Sequence, residues 1–337
     1  MIQEHDNYSL LLHNTFGIDA KAARFIEYDT SGELRELILN NRIGNSYLHI
    51  GQGSNLLFVK DFEGTILHSR IQSMELTDET QDTVTVKVGS GMVWDDFVAR
   101  CISNKWYGVE NLSHIPGETG ACAVQNIGAY GTEAKNYIYA VNTINSLTGE
   151  ERIFSAKECK YTYRYSIFKE PDMKDRLITH VFFKLNKTPH YILDYGTVCE
   201  EVAKYSEISL ITIRKAIIDI RKNKLPDPQI MGNAGSFFMN PVIPYAMFET
   251  LQKEYPQMPH YKADDGKIKI PAAWLIDQCG WKGKTLGTVA VHDKQPLVLV
   301  NRGGASGNDV LILSGAIQTS VKEKFNIEIH PEVSIIE

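Results

Sequence analysis

The chain has 337 residues, 43% of them hydrophobic and 23% charged. That apolar fraction excludes a disordered chain, and the length suits two or three domains rather than one. Lys and Arg number 35 against 41 Asp and Glu, a formal charge of −6. Such a balance argues against a nucleic-acid partner but leaves room for an anionic small molecule held by a few local cations.

No run reaches the roughly 18 apolar residues of a membrane span, so no membrane partner is expected. The segment Met1–Asn7 has no cationic stretch leading into an apolar one, which points to the cytoplasm. Cys101, Cys122, Cys159, Cys199 and Cys279 are odd in number and scattered, with no Cys-x-x-Cys pair. They read as free thiols in a reducing compartment, with no metal site.

In chain order, 46–50 and 56–59 read as strands around the turn Gly51–Asn55 (Gly-Gln-Gly-Ser-Asn). Residues 83–88 alternate with period two, as a half-buried strand does. Trp94, Phe97, Val98 and Cys101 share one face of a helix. A glycine-rich loop is expected over 115–131, with strands at 138–147 and 176–186. A helix at 210–221 stops before the Lys224–Pro228 segment, whose two prolines make a hinge. Helices at 245–254 and 307–324 flank a strand pair at 286–300, and 325–336 alternates like a strand. Strands and helices mix without a regular βαβ beat, so the class is α+β rather than doubly wound.

Two motifs fail on inspection. Gly51–Leu56 begins like a dinucleotide fingerprint, but its sixth residue is Leu56 and a strand follows. Gly283-Lys284-Thr285 ends like a P-loop, but the earlier glycine is replaced by Gln278. What remains is two glycine loops able to bring backbone N–H groups close to a pyrophosphate. Three further segments carry chemistry. Arg164, Ser166 and Phe168 share a side if 163–168 is extended, and Arg164 either forks onto a carboxylate or snorkels from a surface strand. Ser236 sits in a glycine turn, either as a reactive hydroxyl or as a helix cap. Glu332 lies among apolar neighbours, either desolvated with a raised pKa or pointing outward from an alternating strand.

Together these segments resemble the UDP-N-acetylenolpyruvoylglucosamine reductase family. The matching pieces are 14–20, 51–55, Ile115-Pro-Gly117, 125–131, 163–169, 224–228, 232–238, 273–279 and Pro331-Glu332-Val333, in family order along the chain. The 194–196 and Tyr261 segments are similar to the longer subtype. The resemblance implies a two-part FAD-binding fold of the vanillyl-alcohol-oxidase type plus a C-terminal α+β substrate domain. Its boundaries would be 1–74 joined by 326–337, then 75–225, then 226–325.

The implied reaction is NADPH-dependent reduction of UDP-N-acetylglucosamine enolpyruvate to UDP-N-acetylmuramate, in cell-wall precursor synthesis. Hydride would come from the FAD N5 and the proton from Ser236, with Arg164 and Glu332 stabilising the enolate. Implied flavin contacts are Gly51, Gly53, Ser54, Asn55, Gly117, Gln125, Asn126, Gly128, Ala129 and Tyr130. Implied substrate contacts are Tyr163, Tyr195, Lys224, Asn240, Tyr261 and Gln295, with Tyr195 part of a lid and Tyr195 and Lys224 at the diphosphate. The protein would act as a monomer. Met239 stands where the family often has a lysine, and 118–124 departs from its better-known members. Alternatives are a flavin oxidase of the same fold, acting on a hydroxy acid or alcohol, and a catalytically dead flavin- or nucleotide-binding scaffold.

Overall fold

The computed structural model describes residues 1–337. The chain divides into two compact units. The first holds Met1–Tyr8, Ala22–Gln52 and Glu63–Asn223; the second holds Ser9–Lys21, Gly53–Phe62 and Lys224–Glu337.

The first unit is built on two sheets. One has four strands in the order Gln3–Ser9, Lys21–Tyr28, Phe62–Ser69, Tyr47–Ile50. The last two run parallel, with Ile50 opposite His68. The helix Ser31–Leu39 starts where the Thr30 hydroxyl accepts from the Glu33 N–H, satisfying one of its orphan donors. It buries Leu34, Leu37 and Ile38 against Ile26, Tyr28 and Leu67.

The second sheet is antiparallel, ordered Glu151–Ser155, Ile138–Asn145, Arg176–Asn186, Thr83–Gly89, Met74–Glu79. Its core contains the apolar stripe of the helix Trp94–Ser103, where the Phe97 ring lies 4.6 Å and the Trp94 ring 5.8 Å from Phe183. The Trp94 indole N–H, too costly to bury unpaired, donates to the Leu112 carbonyl at 2.8 Å. The helix Leu210–Lys224 runs three residues past its expected end and stops two short of Pro226, whose ring disfavours helix before it. Both Arg214 terminal nitrogens reach the Asp95 carboxylate, at 2.6 and 2.7 Å.

In the second unit the strand Leu56–Phe58 pairs in parallel with Ser334–Ile336. The helix Gly307–Phe325 opens with a reciprocal cap between Ser306 and Asp309 and ends at Asn326, whose φ is +54°. Trp274, Tyr255 and Phe325 pack ring to ring at 5.1 to 5.8 Å. Two three-stranded sheets complete it: Val242–Ile243, Ile268–Lys269, Tyr261–Lys262, and Thr285–Leu286, Val289–Val291, Leu299–Asn301.

Three expectations change. The 115–131 block is not all loop, because Thr119–Gln125 is helical. Its small residues let it lie close to its neighbours: a Cβ on Gly120 would stand 2.8 Å from the Ser90 Cβ. The 325–336 tail is not one strand. Only Ser334–Ile336 forms a strand, with a single bridge from Pro331 to Phe238 before it, since the helix runs to Phe325 and Asn326 turns the chain left-handed. Nor is 163–168 extended. Arg164 has φ +55° in a tight turn bridged by Thr162 and Tyr165, and Ser166 is buried with its hydroxyl on the Val124 carbonyl at 2.7 Å. No helix is long and apolar enough to cross a membrane.

Candidate active site

In the first unit the glycine block and the Arg164 turn are knitted into one wall. The Asn126 side chain donates to the Thr162 carbonyl at 2.7 Å and to Glu133 at 3.1 Å, while its oxygen accepts from the Lys135 N–H at 3.0 Å. With every hydrogen-bonding group of that amide engaged, the left-handed backbone at Asn126 (φ +48°) is fixed at the end of the helix Thr119–Gln125. Arg164 donates to the Gly128 carbonyl at 2.8 Å and reaches Asn126 O at 3.4 Å, and its guanidinium lies 5.2 Å from the centre of the Tyr163 ring. The structure thus brings together Gln125, Asn126, Gly128, Ala129, Tyr163 and Arg164. Gln125, Gly128, Ala129 and Tyr130 are half-buried, so this wall is neither core nor open surface.

Tyr130 continues the wall. The ring of Tyr195, itself 46% exposed, meets it edge-on at 6.5 Å. Burial pushes the Tyr130 phenol up in pKa, and the Arg221 guanidinium beside it pulls the other way. Asn111, buried beneath, donates to both the Tyr130 and Ile192 carbonyls at 2.8 Å. It ties the glycine block to the segment leading to Tyr195. Neither Asn111 nor Arg221 was marked by the sequence, because each acts through residues far along the chain.

The turn Gly51–Asn55 passes from the first unit to the second after Gln52. On the first side, the Gly117 N–H donates to the Gln52 side chain at 3.2 Å. On the second, Gly53 has φ +66°, and a Cβ there would stand 1.9 Å from the His13 carbonyl oxygen, so only glycine fits. Ser54 is half-buried in the same turn.

In the second unit Glu332 joins two of the expected segments. Its N–H donates to the Phe237 carbonyl at 2.7 Å, next to Ser236, and its carbonyl accepts from the Asn55 side chain at 3.1 Å. Glu332 is half-buried rather than closed off among the apolar residues around it. Ser236 is not a helix cap. It bridges Val298, and the Phe237 N–H donates to Leu297, which places the Gln295 turn beside it. Asn240 uses its side-chain oxygen on the Ala272 N–H at 2.9 Å, at the start of the helix Ala272–Gln278. Tyr261 is 49% exposed on its small sheet, and Lys224 is exposed at the first position of its stretch. Arg164 therefore belongs to the first unit, and Ser236 and Glu332 to the second.

Comparison with known proteins agrees along the whole chain. A family model described as an FAD binding domain matches residues 23–153, and one described as the C-terminal domain of UDP-N-acetylenolpyruvoylglucosamine reductase matches 227–336. The UDP-N-acetylenolpyruvoylglucosamine reductase of Bacteroides fragilis strain YCH46 is 60% identical over 329 residues, covering 98% of this chain and 99% of that protein. The Porphyromonas gingivalis W83 reductase is 47% identical over 336 residues, covering 98% of each. The crystal structure of the Thermus caldophilus reductase superposes with a TM-score of 0.69 at 21% identity, covering 100% of this chain and 99% of that one. The expected α+β architecture, an FAD-binding part followed by a C-terminal domain, holds. With both halves matched and close relatives spanning its length, the chain belongs to the UDP-N-acetylenolpyruvoylglucosamine reductase family and is an oxidoreductase of that type.

Proposed function

We propose that the protein reduces UDP-N-acetylglucosamine enolpyruvate to UDP-N-acetylmuramate, with NADPH as hydride source, in the synthesis of peptidoglycan precursors. The residues present fit FAD: the Gly51–Asn55 and 125–130 backbones are mostly half-buried and rich in glycine, offering neutral N–H groups to a pyrophosphate. FAD, when bound, would supply the redox chemistry, relaying hydride from NADPH to the terminal carbon of the enol ether. The chain's own residues manage charge and proton.

As that carbon gains hydride, negative charge spreads over the α-carbon and the adjoining carboxylate. Arg164 answers that charge, its plane set by the two loop carbonyls on which it rests. Glu332 steadies the enol form. Ser236 gives its hydroxyl proton to the α-carbon, completing the addition across the double bond. Gly51, Gly53, Ser54, Asn55, Gly117, Gln125, Asn126, Gly128, Ala129 and Tyr130 hold the flavin. Tyr195 and Lys224 take the diphosphate, with Tyr163, Asn240, Tyr261 and Gln295 as further contacts. The working division is 1–74 with 326–337, then 75–225, then 226–325. Five free cysteines, three of them buried, suit a reducing cytoplasm, where the chain acts as a monomer.

The observation that carries this reading is the double tether of Glu332, to Phe237 beside Ser236 and to the glycine turn at Asn55. Anaerobic stopped flow tests it. NADPH should bleach the flavin absorbance, and the enolpyruvyl sugar nucleotide should restore it. Bleaching without recovery would rule out the substrate.

A further inference from the structure

Strand pairing buries a charged trio beneath the two glycine turns of the first unit. His68 meets Glu27 through Nδ1 at 2.8 Å and Glu118 through Nε2 at 3.0 Å, and the three side chains are only 13, 17 and 6% exposed. An imidazole facing carboxylate oxygens at both nitrogens needs an N–H on each, so the trio holds one proton more than a neutral ring supplies. Glu118 follows Gly117 directly. Its second oxygen lies 2.9 Å from where a Cβ on Gly51 would stand, so the carboxylate packs on the bare face of that glycine. Together with the Gln52–Gly117 hydrogen bond, Glu118 locks one glycine turn onto the other.

Other charged and titratable groups flank the trio. Arg70 approaches Glu27 at 3.7 Å and is shared with Asp29. His49, on the strand paired with that of His68, is held down to about 4 by burial and so stays neutral at ordinary pH. Its Nε2 meets the buried Tyr28 hydroxyl at 2.8 Å.

We propose that Glu118, held by His68, is a positioning residue that clamps the Gly51 turn to the Gly117 turn and thereby sets FAD affinity, loosening as the trio gives up its proton with rising pH. The inference rests on the flavin reading above. Two effects share a sign. A neutral imidazole turns a lone pair toward one carboxylate, which must then move away. The two carboxylates also lose the cation that offset them near an anionic pyrophosphate. The shifts agree: burial works against a charged His68, yet the two carboxylates win and its pKa is raised. Burial likewise raises that of Glu118, with His68 opposing. A proton held above its ordinary pKa gives a contribution present at low pH and lost as pH rises.

The test measures FAD release from the diluted holoenzyme by flavin fluorescence, from about pH 6 to about pH 8.5. Wild-type affinity should fall about tenfold across that range, the scale of one charge-assisted hydrogen bond. Glu118→Gln keeps the shape but can donate to a neutral ring, so its affinity should be flat with pH. Glu118→Ala should bind about tenfold more weakly at low pH; if it fails to fold, the glutamine variant decides. A flat wild-type profile, or a Glu118→Gln slope equal to wild type, overturns the clamp while leaving the enzyme a flavoprotein. A wild-type protein that neither carries nor rebinds FAD overturns both readings.

Discussion

Replacing Gly53 by alanine gives the most direct check on the turn proposed to hold the flavin. The added Cβ would stand 1.9 Å from the His13 carbonyl oxygen and 2.9 Å from the Asn14 Cα. A carbon needs about 3.2 Å from such an oxygen, so turn or neighbour must retreat by about 1 Å. The neighbour resists. Asn14 is buried, with its side chain bonded to Leu10, to the Ile18 carbonyl and to the Ile18 N–H at 2.8 to 3.0 Å. Retreat of the turn breaks the Thr15 N–H bond to the Gly53 carbonyl. Left-handed backbone at a non-glycine residue costs about 1–2 kcal/mol, the lost bond about 1, and overpacking about 1–3. The total is about 3–6 kcal/mol. Gly235→Ala is the control, since Gly235 has φ +69° with nothing within 4 Å of a Cβ, leaving only the strain of about 1–2 kcal/mol. Denaturant melts of both variants, with FAD content per chain, make the comparison. A Gly53→Ala protein as stable as Gly235→Ala, with full FAD, would refute the steric argument.

Ser236→Ala should leave NADPH bleaching of the flavin nearly unchanged and slow its recovery by substrate roughly 10²–10⁴-fold; equal loss in both halves removes serine from the proton step. Glu332→Gln should also act on the second half alone, and a slowed bleaching step would count against its assignment. Arg214→Ala should cost about 2 kcal/mol near neutral pH by orphaning Asp95. Burial raises the Asp95 pKa, but Arg214 and the His114 N–H outweigh it and hold the carboxyl below its ordinary range. That contribution is complete above about pH 4 and is lost as acid protonates Asp95. Urea melts should therefore show the gap to wild type closing in acid; a constant gap would mean that Arg214 stabilises by packing alone.

Much of the framework was legible in the chain because it is periodic. Trp94, Phe97, Val98 and Cys101 mark a helix face, and all four are buried, joined by Ile102. The helix Thr119–Gln125 was not legible. Gly120 and its small neighbours look like a loop until the close approach to Ser90 is known. The proposed reaction was legible only through resemblance, since Arg164, Ser236 and Glu332, to which it assigns roles, are each ordinary residue types far apart in sequence. The His68 trio was hidden for a related reason. Glu27, His68 and Glu118 lie 41 and 50 positions apart, and only folding makes them neighbours.

The pairing of Leu56–Phe58 with Ser334–Ile336 also has a consequence for how the protein is made. Asn55 and its partner Glu332 are 277 positions apart. At about 5–20 residues per second, a ribosome leaves the early strand waiting roughly 15–55 s for its mate. Leu57 and Phe58, fully buried in the finished protein, are apolar side chains on an unpaired edge for all that time. Nascent chains of this protein should therefore hold a chaperone-binding segment near residue 57 until residues 334–336 emerge, and a chain cut before Ser334 would leave that edge unpaired.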